Sequence, residues 1–124
     1  LREAEKAGMD DALLTNHNGK VTEASGSNVF WIKDGALFTP PVSSGCLSGI
    51  TRGMILELAI AMNLPTTQQN ITPTQLCDAE SVFLTNSVRE IQPVIQINDK
   101  SITVSPLIGK LHSTYREAVK QATG

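Results

Sequence analysis

The chain has 124 residues, 40% of them hydrophobic and 18% charged, and its formal net charge is −2. This length is enough for one domain with a modest core, and the charge gives no basic footprint for nucleic acid. No apolar run could cross a bilayer, and the charged residues 1–11 do not resemble a signal peptide. We therefore expect a single cytoplasmic domain over residues 1–124, without membrane or nucleic-acid partners.

The cysteines and histidines show no metal-binding pattern. Cys46 and Cys77 lie far apart without metal-type spacing, and His17 and His112 belong to no ligand cluster. Two free thiols in a reducing cytosol are expected, with a disulfide as the alternative, and no metal site is predicted.

The first third of the chain favours an antiparallel meander. Residues 1–8 are typical of the end of a helix stopped by Gly8, which is what a fragment would show. Asn-Gly and Asp-Gly pairs then mark two tight hairpins between runs of β-forming residues. The predicted strands are residues 11–16, 21–24, 28–33 and 36–39.

Helical and strand patterns alternate in the rest of the chain. A helix from Ile50 to about Met62, with an apolar face of Ile50, Met54, Ile55, Leu58, Ala59 and Met62, ends before Pro65. A short helix capped by Thr72 and Pro73 is predicted to reach Ala79, and a last helix starts at Pro106 with Leu107, Leu111, Tyr115, Ala118 and Ala122 on one face. The remaining predicted strands are residues 66–71, 81–85, 91–97 and 101–104. This order predicts an α+β, or barrel-like α/β, fold: an antiparallel-rich mixed sheet with flanking helices.

The junction between residues 43–49 and the helix at Ile50 is a candidate anion site. Glycines let a ligand approach the backbone, and the first N–H groups of a helix have no internal partner. A phosphate there would contact the N–H groups of Ile50 and Thr51 and the Thr51 hydroxyl. The alternative is a flexible loop with a serine N-cap.

Two further polar stretches are candidate ligand-binding segments, but neither indicates a binding site by itself. Thr85-Asn86-Ser87 follows an apolar strand abruptly, which is typical either of a ligand-binding strand end or of a plain turn. Glu23 precedes a Gly/Ser break and either faces a cavity or is a solvated hairpin residue.

Five segments then occur in a recognisable order. Residues 21–30 (VTEASGSNVF) contain a glutamate followed by four spacer residues, an asparagine, an aliphatic residue and an aromatic residue. The next two segments are Leu37-Phe38-Thr39 and residues 47–52 (LSGITR). Residues 83–87 (FLTNS) come next, with Pro93-Val94 after them. Together these segments resemble the hallmark of class IV aminotransferases, the fold-type IV pyridoxal-phosphate (PLP) enzymes, whose C-terminal domain the chain would represent.

The resemblance implies roles for individual residues. Glu23 matches the glutamate that contacts the pyridine nitrogen of PLP, where a carboxylate favours the protonated ring. Ile50 and Thr51 match the residues that bind the phosphate, Ser87 matches a hydroxyl residue that also reaches it, and Asn28 matches a hydrogen-bonding position nearby. The cofactor-binding set implied in this way is Glu23, Asn28, Gly49, Ile50, Thr51, Asn86 and Ser87.

The resemblance also implies that the Schiff-base lysine lies upstream of Leu1, together with the family's N-terminal domain. No catalytic residue is therefore assigned within the chain, which is expected to be inactive alone because covalent chemistry needs an activated amine. None of the lysines of the chain matches the position of the family's Schiff-base lysine; they are Lys6, Lys20, Lys33, Lys100, Lys110 and Lys120.

The type of family member stays open. Trp31, the Cys46–Gly49 loop and Thr85-Asn86-Ser87 favour 4-amino-4-deoxychorismate lyase, an enzyme of folate biosynthesis that releases pyruvate to give 4-aminobenzoate. A D-amino-acid or branched-chain aminotransferase is one alternative, and a non-catalytic remnant that folds, oligomerises or binds a small anion is another. A homodimer is expected, because apolar surface left by an absent domain drives association.

Overall fold

The computed structural model describes residues 13–15, 19–24, 27–42, 49–86, 90–97 and 100–123, with the backbone alone for 13–15, 22–24 and 122–123. Within these ranges the strands are β1 (Leu13–Thr15), β2 (Val21–Ala24), β3 (Asn28–Lys33), β4 (Ala36–Thr39), β5 (Thr66–Gln68), β6 (Ser81–Asn86), β7 (Glu90–Val94), β8 (Gln96–Ile97) and β9 (Lys100–Ser101). The helices are α1 (Ile50–Ala61), α2 (Pro73–Leu76) and α3 (Pro106–Thr123). The helix predicted over residues 1–8 lies outside the described residues.

A five-stranded sheet in the order β5-β4-β3-β6-β7 organises the fold. Its β4–β5 pair is parallel and its other pairs are antiparallel, while β1–β2 and β8–β9 form separate hairpins. This mixed, mostly antiparallel sheet with flanking helices confirms the predicted α+β fold. The central strands β3 and β6 are the ones richest in β-branched and aromatic residues, which suit a pleated, buried surface.

The sheet is buried on both faces. On one face Phe30 stacks on Phe83 with ring centroids 5.1 Å apart, and α1 and α3 cover the pair through Ile55 and Leu111. The opposite face forms a second cluster of nine buried side chains: Val21, Val29, Trp31, Ile71, Leu76, Val82, Leu84, Ile97 and Ile102. Burial of each large side chain contributes about 1.5–3 kcal/mol. Of the described helices, none is long and apolar enough to span a bilayer.

The predicted turn and cap signals described next are confirmed, whereas Asn18 of the predicted Asn18-Gly19 turn lies outside the described residues. Asp34 and Gly35 both have positive φ, 52° and 75°, as a type I′ hairpin between β3 and β4 requires. Asn63, with φ 57°, ends α1, and the Leu64 N–H donates to Ala59 O at 2.9 Å. Thr72 forms a capping box with Gln75 at the start of α2.

Three predicted elements differ in length or pairing. The strand at 66–71 is only β5, an edge strand, and the helix expected to reach Ala79 ends at Leu76. The hairpin predicted between residues 91–97 and 101–104 is wrong in its extent, because β7 pairs with β6 and only the short β8 and β9 form that hairpin. Pro93 lacks an N–H group, which suits an edge strand such as β7.

Among the residues whose side chains are described, the predicted helix faces are largely correct, with one error; the side chain of Ala122 lies outside them. Along α3, Leu111 and Tyr115 are buried as predicted, and Ile108 is buried with them. The periodicity of α1 assigns Ile50 to its apolar face, but Ile50 is 84% exposed, whereas Arg52 is buried instead.

Candidate anion and cofactor site

Helix α1 begins without a side-chain cap. Its N-cap is Gly49, which offers no side-chain acceptor, so the alternative of a serine N-cap is wrong. The first intrahelical bond runs from Gly53 N–H to Gly49 O at 3.1 Å, and the first turn holds no acidic residue. The N–H groups of Ile50 and Thr51 therefore have no partner inside the helix, and the helix dipole adds partial positive charge there. Such a terminus can bind an anion.

Asn28 joins the start of β3 to the start of α1. It is 7% exposed, and a Cβ placed on Gly49 would lie only 2.6 Å from its Oδ1 atom. Position 49 therefore tolerates no side chain unless Asn28 moves. The tight contact brings two of the predicted site residues together, with Thr51 in the adjoining helical turn.

Thr85 is the residue directly opposite Asn28 on β6. Its side chain is 1% exposed, and its Oγ1 atom has no hydrogen-bond partner within the described part of the chain. A buried polar group without a partner costs about 1–3 kcal/mol, so a partner such as ordered water or a ligand is expected at this hydroxyl. A hydroxyl beside an uncapped helix start and a glycine cradle fits a phosphorylated ligand. The residues present are therefore compatible with PLP.

Asn86 ties the end of β6 to the residue before β3. Its Nδ2 atom donates to Ser27 Oγ at 2.9 Å. Asn28, Thr85 and Asn86 thus lie together on two neighbouring strands, and their arrangement is held by side-chain contacts as well as by the ladder.

Arg52 adds a buried positive charge to the first turn of α1. Its Nη2 donates to Pro40 O at 2.9 Å and to Gln68 Oε1 at 3.2 Å. Among the described residues its Nε has no hydrogen-bond partner, and no carboxylate forms an ion pair with it. A guanidinium without a counter-charge close to the helix start raises the local potential for an anion.

Replacing Thr85 by valine tests whether its hydroxyl is kept for a ligand. Valine has nearly the same shape and removes an unsatisfied polar group, so the free energy of unfolding should stay the same or rise slightly. The affinity for PLP should fall by about tenfold, as expected for a lost hydrogen bond to a charged group. Equilibrium dialysis and urea denaturation measure the two quantities, and a large loss of stability would contradict this interpretation.

The remaining predicted residues are only partly placed. Glu23 lies in β2 opposite Leu14, and β2 is attached to the body of the fold where Val21 N–H donates to Ile71 O at 2.7 Å. The side chain of Glu23 and all of Ser87 lie outside the described residues, so their contacts with the cofactor stay predictions. Cys46 also lies outside, while Cys77 carries a free thiol.

Sequence reasoning left Thr85 and Arg52 out of the binding set. The signal for Thr85 was its position two residues after Phe83, which places its hydroxyl on the same buried face of the strand. The signal for Arg52 was its spacing from Ile55 and Ala59 on the buried face of α1.

Comparison with known proteins decides the family. The model of the family described as amino-transferase class IV matches residues 1–97. The chain belongs to the class IV aminotransferases. This confirms the resemblance found in the sequence motifs.

Individual relatives are much longer than the chain. It is 35% identical to a branched-chain-amino-acid aminotransferase of Pseudomonas aeruginosa over 99% of its own length and 41% of that protein's. The structure of a T.th. branched-chain amino acid aminotransferase with pyridoxamine 5′-phosphate matches with TM-score 0.89 and 36% identity, over 95% of the chain and 39% of that enzyme. A Legionella pneumophila protein provisionally named 4-amino-4-deoxychorismate lyase matches with TM-score 0.89 and 34% identity, over 94% of the chain and 44% of that protein. The family's cofactor is thus of the PLP type.

Proposed function

We propose that the chain forms the PLP-binding part of an aminotransferase that moves the amino group of a branched-chain amino acid to a 2-oxo acid. The proposal rests on the polar groups around the start of α1. This helix start has no side-chain cap, Asn28 lies close to Gly49, and the Thr85 hydroxyl on the neighbouring strand has no partner among the described residues. The similarity to branched-chain aminotransferases supplies the reaction class.

Four of the predicted residues have a distinct task in this proposal. The N–H groups of Ile50 and Thr51 and the Thr51 hydroxyl bind the phosphate, and Ser87 adds a second hydroxyl. The carboxylate of Glu23 would hold a proton on the pyridine nitrogen of the cofactor. When bound, PLP would supply the electron sink that amino-group transfer needs.

A binding experiment tests the proposal. The protein should bind PLP saturably in equilibrium dialysis, and Thr51→Val should weaken binding because it removes a donor at the helix start. Borohydride should trap no adduct on a defined lysine, since no lysine of the chain matches the reactive position. Failure of the wild-type protein to bind PLP would overturn the proposal.

The lyase is the second candidate. The Legionella protein and the Thr85-Asn86-Ser87 segment favour it. Both candidates share the cofactor site and differ in substrate. In a preparation that carries the reactive lysine, release of pyruvate from aminodeoxychorismate would favour the lyase, and formation of glutamate from isoleucine and 2-oxoglutarate would favour the aminotransferase. Binding of PLP without either reaction in such a preparation would favour the non-catalytic remnant.

A further inference from the structure

We propose that Glu90 is a positioning residue, which holds the end of β6 at the cofactor site by binding α3 with its carboxylate. The inference concerns Thr85 and Asn86 on β6, and it rests on the proposed function only for the identity of the ligand. We call Glu90 and its two partners, His112 and Arg116, the Glu90 clip.

The clip connects α3 to the strand end that carries the site residues. Oε1 of Glu90 accepts a hydrogen bond from His112 Nε2 at 3.0 Å and another from Arg116 Nε at 2.9 Å. Glu90 is the first residue of β7 and pairs directly with Asn86, the last residue of β6. Because Asn86 in turn donates to Ser27, the clip links α3 through the β6–β7 ladder to the start of β3.

The backbone of Glu90 indicates that its side chain is needed at this position. Its φ is 63°, in the left-handed region that glycine and asparagine adopt readily and glutamate adopts rarely. A glutamate held there requires compensation from its surroundings, and strained residues of this kind cluster at functional sites. The two hydrogen bonds to α3 are contacts that glycine could not make.

The charges around Glu90 favour its ionised form. Within the described ranges the ion-pair partners of Glu90 are the Arg116 guanidinium and the His112 imidazole, both from α3. The hydrogen bond from Arg116, followed by that from His112, holds the pKa of Glu90 below its usual value. A lowered folded-state pKa gives stability that is present above the unfolded value of about 4.5 and is lost as the pH falls through the folded value. The clip is therefore closed at neutral pH and opens in acid.

Amide hydrogen exchange tests the proposal directly, with Glu90→Gly as the main variant. Glycine fits the positive φ but removes the carboxylate, so a role in backbone geometry alone predicts unchanged or slower exchange at Thr85 and Asn86. A positioning role predicts exchange about fivefold faster at these amides, as expected for loss of a partly exposed ion pair. Amides of β3 next to β4, such as Lys33, should not change in either case. Unchanged exchange at Thr85 and Asn86 would overturn the proposal.

PLP affinity provides the second readout, with Glu90→Gln and Arg116→Met added. Each variant should bind PLP a few-fold more weakly under conditions where circular dichroism shows it fully folded, so that global stability cannot affect the Kd. Equal affinity in Glu90→Gln and wild type would reduce the clip to a stabilising contact and overturn its positioning role. If the wild-type protein binds no PLP, the proposed function fails, and the exchange comparison still decides the role of Glu90.

Discussion

Phe83→Ala is expected to lower the free energy of unfolding by about 3–5 kcal/mol, the cost of deleting a buried aromatic side chain and leaving a cavity. Phe83 is fully buried in the centre of β6 and stacks on Phe30 with the rings within 2° of parallel. Ile55 of α1 belongs to the same cluster, so the variant should also loosen the helix whose start is the candidate anion site. Urea denaturation followed by the fluorescence of Trp31, the single tryptophan, measures the change.

Two control variants separate cavity formation from a general effect of mutation. Phe83→Leu keeps most of the buried volume and should cost less than about 1.5 kcal/mol. Ile60→Ala truncates a side chain of α1 that is 72% exposed and should change stability by no more than about 0.5 kcal/mol. A similar loss in all three variants would show that burial around Phe83 is not the source of stability.

Gly49→Ala is expected to disrupt both stability and ligand binding. The φ of Gly49 is −68°, which alanine adopts without strain, so the effect is steric: the new Cβ would lie 2.6 Å from Asn28 Oδ1. Asn28 is only 7% exposed, and overpacking of a buried site costs about 1–3 kcal/mol. Displacing Asn28 also changes the start of α1, and we expect PLP affinity to fall by at least about tenfold, the equivalent of 1.4 kcal/mol.

Gly53→Ala is the matched control on the same helix. Apart from its chain neighbours and the backbone of its own helix, no atom of the described residues lies within 4 Å of a Cβ at this position. An alanine in a helix interior is more stable than glycine by about 0.5–1 kcal/mol. The two glycine variants should therefore change stability in opposite directions, and Gly53→Ala should leave PLP binding unchanged. A stability gain in Gly49→Ala would refute the close contact with Asn28.

Local chemistry determined much of the fold. The bounds of β3 and β4, the start of α1 and its end at Asn63 agree with the sequence prediction. Each of these features depends on residues close to one another in the chain: a turn that needs positive φ, or a helix end that needs a cap. The family motif likewise predicted that Asn28 and Gly49 belong to one site, because it specifies residue types at set spacings, and the two residues do lie close together.

Only the tertiary structure decided which side chains meet. Periodicity assigns Ile50 to the buried face of α1, yet the buried face contains Arg52 instead. Which face of a helix is buried depends on the elements that pack against it. The unpartnered hydroxyl of Thr85 and the contact of Glu90 with α3 depend on strand pairing and helix packing between distant segments. Sequence alone determined most of the elements, their order and the family, since these follow from local preferences and residue spacing. The arrangement of polar groups around the start of α1 required the packed fold, because it depends on contacts that no local pattern encodes.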